Sequence, residues 1–207
     1  MLRQLHPRRH QVKADAMRIF RKAPGPWARR PRLQTSVPSP WDRPQTQFPG
    51  IVPINTLLFD RSERAAIAIT GISAYTNGFE FSVTRLIRPG TPGWDQDPEP
   101  GVPGEPFAAH RSFEISLQLS DGRMVISGRP SASSEPAEPF LRLTGGGGSS
   151  HYNQLRWWAW PLPPSGPLEF ICQWPTLGIS ETRVGIDAEA ILSAARRSVQ
   201  IWPEDQA

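Results

Sequence analysis

The stretch that decides the fold is residues 141–174, LRLTGGGGSSHYNQLRWWAWPLPPSGPLEFICQW, which holds four of the chain's eight tryptophans. Residues 154–160 are rich in aromatic side chains, and residues 168–174 place Leu, Phe, Cys and Trp at alternate positions. Both patterns are typical of β-strands with a buried face. Four prolines between them remove backbone donors, so no hydrogen-bonded ladder can pass through the intervening segment. The sequence therefore predicts two antiparallel strands joined by a stiff hairpin loop.

The tryptophans of residues 154–160 occupy both faces of the predicted strand. Alternation places Trp157 on one face, and Trp158 and Trp160 on the other together with Arg156. Burying an indole of roughly 150–250 Å² stabilises a fold by about 4–6 kcal/mol, which favours the core for most of these rings. The alternative is an aromatic surface of Arg156, Trp158 and Trp160 that stacks a sugar ring, a base or a partner's apolar patch.

Much of the chain after residue 48 also alternates apolar and polar residues. Residues 54–59 and 65–75 are predicted to form a hairpin, with Gly71 as a bulge. Asn77-Gly78 predicts a type I′ turn, because both residues tolerate the positive φ that this turn requires. Two further strands are expected to point one set of residues inward: Phe79, Phe81 and Val83 in the first, and Phe113, Ile115, Leu117 and Leu119 in the second.

The periodicity changes after Asp187, which is a suitable N-cap residue for a helix. The apolar residues that follow form a single helical stripe: Ile191, Leu192, Ala195 and Val199. Such a stripe needs an apolar surface to cover, and we expect the helix to cover at least one of Trp158 and Trp160. The predicted fold class is all-β, an antiparallel β-sandwich of about eight or nine strands, Ig-like or jelly-roll-like, with one C-terminal α-helix.

Charge is distributed unevenly along the chain. Residues 1–47 carry eleven Lys or Arg and two Asp, a net charge of +9, whereas residues 48–207 carry twelve basic and seventeen acidic residues, a net charge of −5. Prolines recur every few residues from 24 to 53, which favours an extended linker. We therefore predict a disordered, basic, proline-rich arm at residues 1–47 and a folded domain at residues 48–207. Only the arm is expected to touch nucleic acid or an anionic surface, weakly and without sequence preference.

No apolar run in the sequence has the length of a signal-peptide core or a membrane span. The sequence therefore predicts a cytoplasmic protein without a membrane-spanning segment. Its single cysteine, Cys172, falls on the inward face of a strand and is expected to be a small core residue.

The motifs of common enzymes and cofactor sites fail on spacing or context. The glycine run at residues 145–148 is followed by Ser149 and Ser150 and then by a strand, whereas a dinucleotide-binding loop needs a further glycine and a helix. The sequence contains no G-x-S-x-G, His-Glu-x-x-His or Cys-x-x-Cys motif. No cofactor and no metal site is therefore predicted. His151, beside the glycine run, is the first candidate for a base or a ligand-binding side chain.

Three segments also carry a resemblance: FDRSERAAIAITGI, SLQLSDGR, and the region from GGGGSSHYNQLRWWAWPLPPSGPLEF to EAI. The chain resembles a family of uncharacterised actinobacterial proteins with a glycine run followed by a W-x-W-P-L-P-P-x-G-P-L pattern. The resemblance covers roughly residues 48–202 and leaves out the arm. It implies no activity, ligand or catalytic residue.

Two classes of function follow from these patterns. The favoured hypothesis is a non-catalytic binding or protein-interaction module, with Arg156, Trp158, Trp160 and His151 as binding residues. The alternative is an enzyme whose active site is dispersed over surface loops, with His151, Glu169 or Asp187 as acid–base groups. A pocket with mutually hydrogen-bonded titratable groups would favour the enzyme.

Overall fold

The structure is a computed structural model that describes residues 39–92, 94, 112–127, 136 and 138–202. Residues 1–38 of the predicted disordered arm lie outside the described residues, whereas its residues 39–47 are described. The described part of the chain is mostly antiparallel β-sheet with one α-helix near its end, which confirms the predicted fold class. No helix in that part has the length and hydrophobicity that crossing a bilayer requires.

The described chain contains twelve strands, one α-helix and a 3-10 helix at Pro175–Leu177, between the tenth and eleventh strands. In order, the strands and the α-helix are β1 (Gln47–Phe48), β2 (Gly50–Ile51), β3 (Leu57–Arg61), β4 (Ala65–Ala74), β5 (Phe79–Ile87), β6 (Glu114–Gln118), β7 (Met124–Ile126), β8 (Phe140–Gly148), β9 (Tyr152–Trp160), β10 (Pro167–Trp174), β11 (Ile179–Asp187), α1 (Glu189–Arg196) and β12 (Val199–Gln200). Three of the strands, β1, β2 and β12, are only two residues long.

The strands form two packed sheets and one short ribbon. The larger sheet has the order β2-β4-β5-β9-β8, with β3 also paired to β4, and the smaller sheet has the order β11-β10-β6-β7. The ribbon pairs β1 with β12. The predicted hairpin of residues 154–160 and 168–174 is wrong: β9 pairs with β5 and β8, while β10 pairs with β6 and β11 in the other sheet. The proline-rich loop between them is therefore a crossover between sheets, a connection that alternation within each strand cannot distinguish from a hairpin.

The core lies between the inner faces of the two sheets. Phe81 of β5 meets Phe170 of β10 edge to face, with ring centroids 5.1 Å apart. The β4–β5 register shifts between Ile69 and Gly71, which confirms the predicted bulge. Because the bulge inserts one residue, the alternation is reset, and Ile67 and Ile72 both face the core despite their odd spacing.

The loop at Asn77-Gly78 corrects one prediction. Neither residue has a positive φ, so the turn is not of type I′. Gly78 is needed instead for close approach, since a Cβ there would lie 2.6 Å from the Trp158 ring. Asn77 donates hydrogen bonds to the backbone oxygens of Pro40 and Asp42 at 2.6 and 2.9 Å. Contacts with residues distant in sequence determine this conformation, and a two-residue turn motif contains no information about them.

The position of α1 corrects a second prediction. Its buried residues join the main core beside β4 and β2, and a Cβ on Gly50 would lie 1.8 Å from the backbone oxygen of Ala194. Asp187 caps the helix start by accepting a hydrogen bond from the Glu189 amide at 2.9 Å. Val199 belongs to β12 and is exposed, so the apolar stripe ends one turn earlier than predicted. The helix therefore packs in the main core, whereas Trp158 belongs to a separate cluster.

Trp158 is covered by residues 39–43, which we call the N-terminal flap. A second apolar cluster joins Trp41 of the flap to Trp158, Trp160, Tyr75 and Phe140. The Trp158 Nε1 donates to the backbone oxygen of Trp41 at 3.0 Å. Two ion pairs flank this contact: Arg142 with Asp42 at 2.9 Å, and Arg43 with Glu80 at 3.0 Å. Part of the segment assigned to the arm thus packs against the domain.

Candidate functional site

The binding residues expected from the sequence fall into different environments. Trp158 is fully buried, and Trp157 is 7% exposed, as the core interpretation of the tryptophans predicted. Trp160 is partly buried and stacks on Phe140 with ring centroids 5.8 Å apart, whereas Arg156 is exposed. The Trp158 ring is therefore inaccessible to a ligand on the outer face.

His151 lies just before β9, at the opposite end of that strand from Trp160. Its backbone oxygen accepts a hydrogen bond from Ile87 at 2.9 Å, which ties the β8–β9 loop to the end of β5. The other two acid–base candidates lie in the smaller sheet. Glu169 forms an ion pair with Arg183 at 3.1 Å, and Asp187 caps α1. Each of these two carboxylates has a local structural role.

Sequence reasoning missed Arg85, which lies on the inner face of β5. The alternation that predicted Phe79, Phe81 and Val83 inward continues through Arg85 to Ile87. Only 2% of the Arg85 surface is exposed. The two-residue period does extend to Arg85. Because arginine is rarely buried, the alternation did not lead to a prediction that this side chain faces the core.

The Arg85 guanidinium is held by two aromatic rings and one amide. Its central carbon lies 4.9 Å from the Phe113 ring centroid and 5.0 Å from that of Trp174. Its Nη2 donates to Asn153 Oδ1 at 2.7 Å. Burial lowers the pKa of Arg85 from 12.5 to about 10, so the group carries its charge at neutral pH.

Arg85 has no carboxylate within salt-bridge distance among the residues that the structure describes. This is unusual, since buried charges in proteins are normally paired. The Nε of Arg85 is buried and forms no hydrogen bond. The described core therefore contains a desolvated positive charge with an unused donor.

A cleft of about 660 Å³ opens beside Arg85, and we call it the glycine-run cleft. It lies at the β8 end of the larger sheet, where a shift in register between Leu143 and Gly145 precedes the glycine run. A Cβ on Gly145 or Gly147 would meet no heavy atom within 4 Å, whereas one on Gly146 would lie 2.8 Å from Leu155 Cδ2, so the run leaves open space on one side and allows close approach of β9 on the other. The cleft is lined by Arg85, Phe113, Leu143, Thr144, Gly145, Gly146, Gly147, Gly148, Asn153, Leu155 and Trp157.

Two buried side-chain atoms at this cleft lack hydrogen-bond partners, and both are donors. They are Arg85 Nε and Trp157 Nε1, and Trp157 lines a second cavity as well as this cleft. A buried donor without a partner costs about 1–3 kcal/mol, and more when it is charged. Most of the remaining wall is apolar, through Phe113, Leu143 and Leu155. The cleft therefore suits a molecule with a hydrogen-bond acceptor at one end and an apolar body.

A second cavity of about 320 Å³ lies near Trp157 and Cys172. Burial raises the pKa of the Cys172 thiol to about 12, so it stays protonated and is a poor nucleophile. Glu114, also in its lining, accepts a hydrogen bond from Gln173 at 2.7 Å. Within the described residues, no three His, Cys, Asp or Glu side chains come together as a metal site would require.

Comparison with known proteins yields no similarity: no family model matches the chain, and neither a curated protein nor a solved structure matches it significantly.

Proposed function

We propose that the chain is a ligand-binding module whose site is the glycine-run cleft. The observation that carries this proposal is the pair of buried, unpartnered donors, Arg85 Nε and Trp157 Nε1, at one apolar-walled cleft. The cleft volume of about 660 Å³ lies within the range of roughly 300–1,000 Å³ that small-molecule sites occupy. A ligand acceptor would satisfy donors that otherwise destabilise the fold.

The chemistry of the cleft favours binding over acid–base catalysis. Among the lining residues that the structure describes, Arg85 is the one ionisable side chain. A protonated guanidinium donates hydrogen bonds and stabilises negative charge, but it does not take up a proton at neutral pH. A general base would have to come from elsewhere. Binding therefore requires no side chain beyond those that line the cleft, whereas acid–base catalysis would require an additional one.

The test uses N-phenyl-1-naphthylamine, a neutral probe whose fluorescence rises in apolar sites. We expect saturable binding to the wild-type protein. Leu143→Trp should weaken it at least tenfold, because Leu143 lines the cleft and is 49% exposed, so that a larger ring can enter the space without disturbing the core.

Leu86→Trp is the matched control. Leu86 is 48% exposed, lies in a strand of the same sheet, and does not line the cleft. This variant should bind the probe as the wild type does. Absence of saturable binding, or equal weakening by both substitutions, would contradict the proposed site.

A further inference from the structure

We infer that the glycine-run cleft selects an amphipathic monocarboxylate, with its carboxylate against Arg85 and its apolar body along the aromatic wall. This inference rests on the proposed function and adds the chemical class of the ligand. Its first support is charge: Arg85 is 2% exposed and has no carboxylate partner among the described residues. A bound anion would supply the partner that buried charges require.

The balance of charge favours a monoanion. One guanidinium compensates one negative charge, and it is the one ionisable side chain of the described lining. A phosphate monoester carries close to two negative charges at neutral pH, so it would leave uncompensated charge in a desolvated site. A carboxylate carries one charge and matches the guanidinium.

The unpartnered donors of the lining residues also favour a carboxylate. Both unpartnered atoms, Arg85 Nε and Trp157 Nε1, carry N–H groups and need acceptors. A carboxylate offers two oxygens with about four lone-pair sites and no donor, so it can accept from more than one N–H. A neutral alcohol or amide would place a donor of its own in this site.

The other lining residues indicate the chemistry of the rest of the ligand. Phe113 and Trp157 present aromatic surface, and Leu143 and Leu155 present aliphatic surface. A cleft of about 660 Å³ is far larger than a carboxylate group alone. Apolar walls of this extent bind an apolar body, so the ligand combines a ring or branched chain with the single carboxylate.

The test compares 1-naphthylacetate with 1-naphthylacetamide, which share the ring and differ in the charged group, by titration calorimetry at pH 7.5. We expect the carboxylate to bind the wild-type protein at least tenfold more tightly. Arg85→Met should reduce this ratio to within about twofold, while unchanged near-ultraviolet circular dichroism shows that the fold is kept. Arg61→Met is the matched control: Arg61 is exposed in β3 of the same sheet and outside the cleft, so the preference should persist.

Two outcomes would overturn the inference: equal binding of acid and amide by the wild type, or a preference that survives Arg85→Met. 1-Naphthyl phosphate should bind more weakly than the carboxylate, and tighter binding would overturn the monoanion assignment. These failures differ from failure of the proposed function. If the neutral probe binds and Leu143→Trp blocks it while acid and amide bind equally, the site stands and its charge selectivity does not. If none of the probes binds, the site itself is wrong.

Discussion

Arg85 is stabilised by three contacts and destabilised by its burial. The fall of its pKa from 12.5 to about 10 corresponds to a cost of roughly 3 kcal/mol for keeping the charge inside the fold. Two cation–π contacts recover about 0.5–2 kcal/mol each, and the bond to Asn153 recovers about 1.5–3 kcal/mol. The unpartnered Nε adds a further cost of about 1–3 kcal/mol, so the gains and the costs are of similar size, and a charge that adds little to folding stability is consistent with a role in binding.

We expect Arg85→Met to raise the free energy of unfolding by about 1–2 kcal/mol while removing anion binding. Methionine is unbranched, and its sulfur makes favourable contacts with aromatic rings, so it replaces the packing between Phe113 and Trp174 without the charge. Asn153 is only partly buried, so water can replace its lost partner. Urea denaturation measures the difference, and a variant less stable than the wild type would show that the charge stabilises the fold.

The pH dependence of that difference follows from the direction of the pKa shift. Below about pH 10 the folded and unfolded wild-type chains both hold the Arg85 proton, and the cost of burial is fully present. As the pH rises through the folded pKa, the folded chain releases its proton first, so the wild type gains stability relative to the variant. The advantage of Arg85→Met should be constant from pH 6 to 9 and smaller at pH 10.5. An advantage that grows with pH would contradict the assigned shift.

At the scale of elements, the N-terminal flap replaces the helix as the cover of the outer tryptophans. Trp158 and Trp41 are 117 positions apart in sequence, yet one donates a hydrogen bond to the other's backbone. Gly78 leaves room for the Trp158 ring, and Asn77 holds the flap backbone through Pro40 and Asp42. The flap is therefore a built contact between a proline-rich segment and the sheet.

Trp41→Ala should lower the free energy of unfolding by about 2–3 kcal/mol, because it removes a partly buried ring from the Trp158 cluster. It should also increase acrylamide quenching of the remaining tryptophans as Trp158 becomes accessible. Trp202→Ala is the control, since Trp202 is 51% exposed and lies outside that cluster. If the two variants had equal stability and equal quenching, the flap would not cover Trp158.

Period-two alternation predicted the elements with a regular face and failed where tertiary contact intervened. Alternation placed Phe79, Phe81 and Val83 on the inner face of β5, and the change of period after Asp187 predicted the helix, where the structure has them. It paired residues 154–160 with the wrong strand, because alternation shows which face is buried and carries no information about the neighbouring strand. The glycine-run cleft could not be predicted from the sequence either. It depends on Arg85 and Asn153, which come together only when β5 pairs with β9.

At the scale of the whole molecule, the two ends of the described domain are tied together. β1 pairs with β12, and the Ile201 amide donates to the backbone oxygen of Thr46 at 2.9 Å. Gln200 adds a side-chain bond to Thr46 Oγ1 at 2.8 Å. The chain reaches this ribbon directly from the flap and then enters β2, beside which α1 packs. The ribbon thus connects the flap, the larger sheet and the helix.

Because of this connection, we expect that losing the hydrogen bond between Ile201 and Thr46 makes residues 41–51 open more readily. Ile201→Pro removes the amide that bonds Thr46, whereas Ile201→Ala keeps that amide and removes more of the apolar side chain. Hydrogen exchange measured by mass spectrometry should become faster over residues 41–51 in Ile201→Pro, and it should stay near wild type in Ile201→Ala. Exchange in β5 and β9 should be unchanged in both, since these strands pair within the larger sheet and their residues belong to the main core and to the Trp158 cluster. Equal exchange over residues 41–51 in the two variants would mean that the flap is held in place without the ribbon. Faster exchange that extended into β5 would mean that the ribbon and the sandwich unfold as one unit.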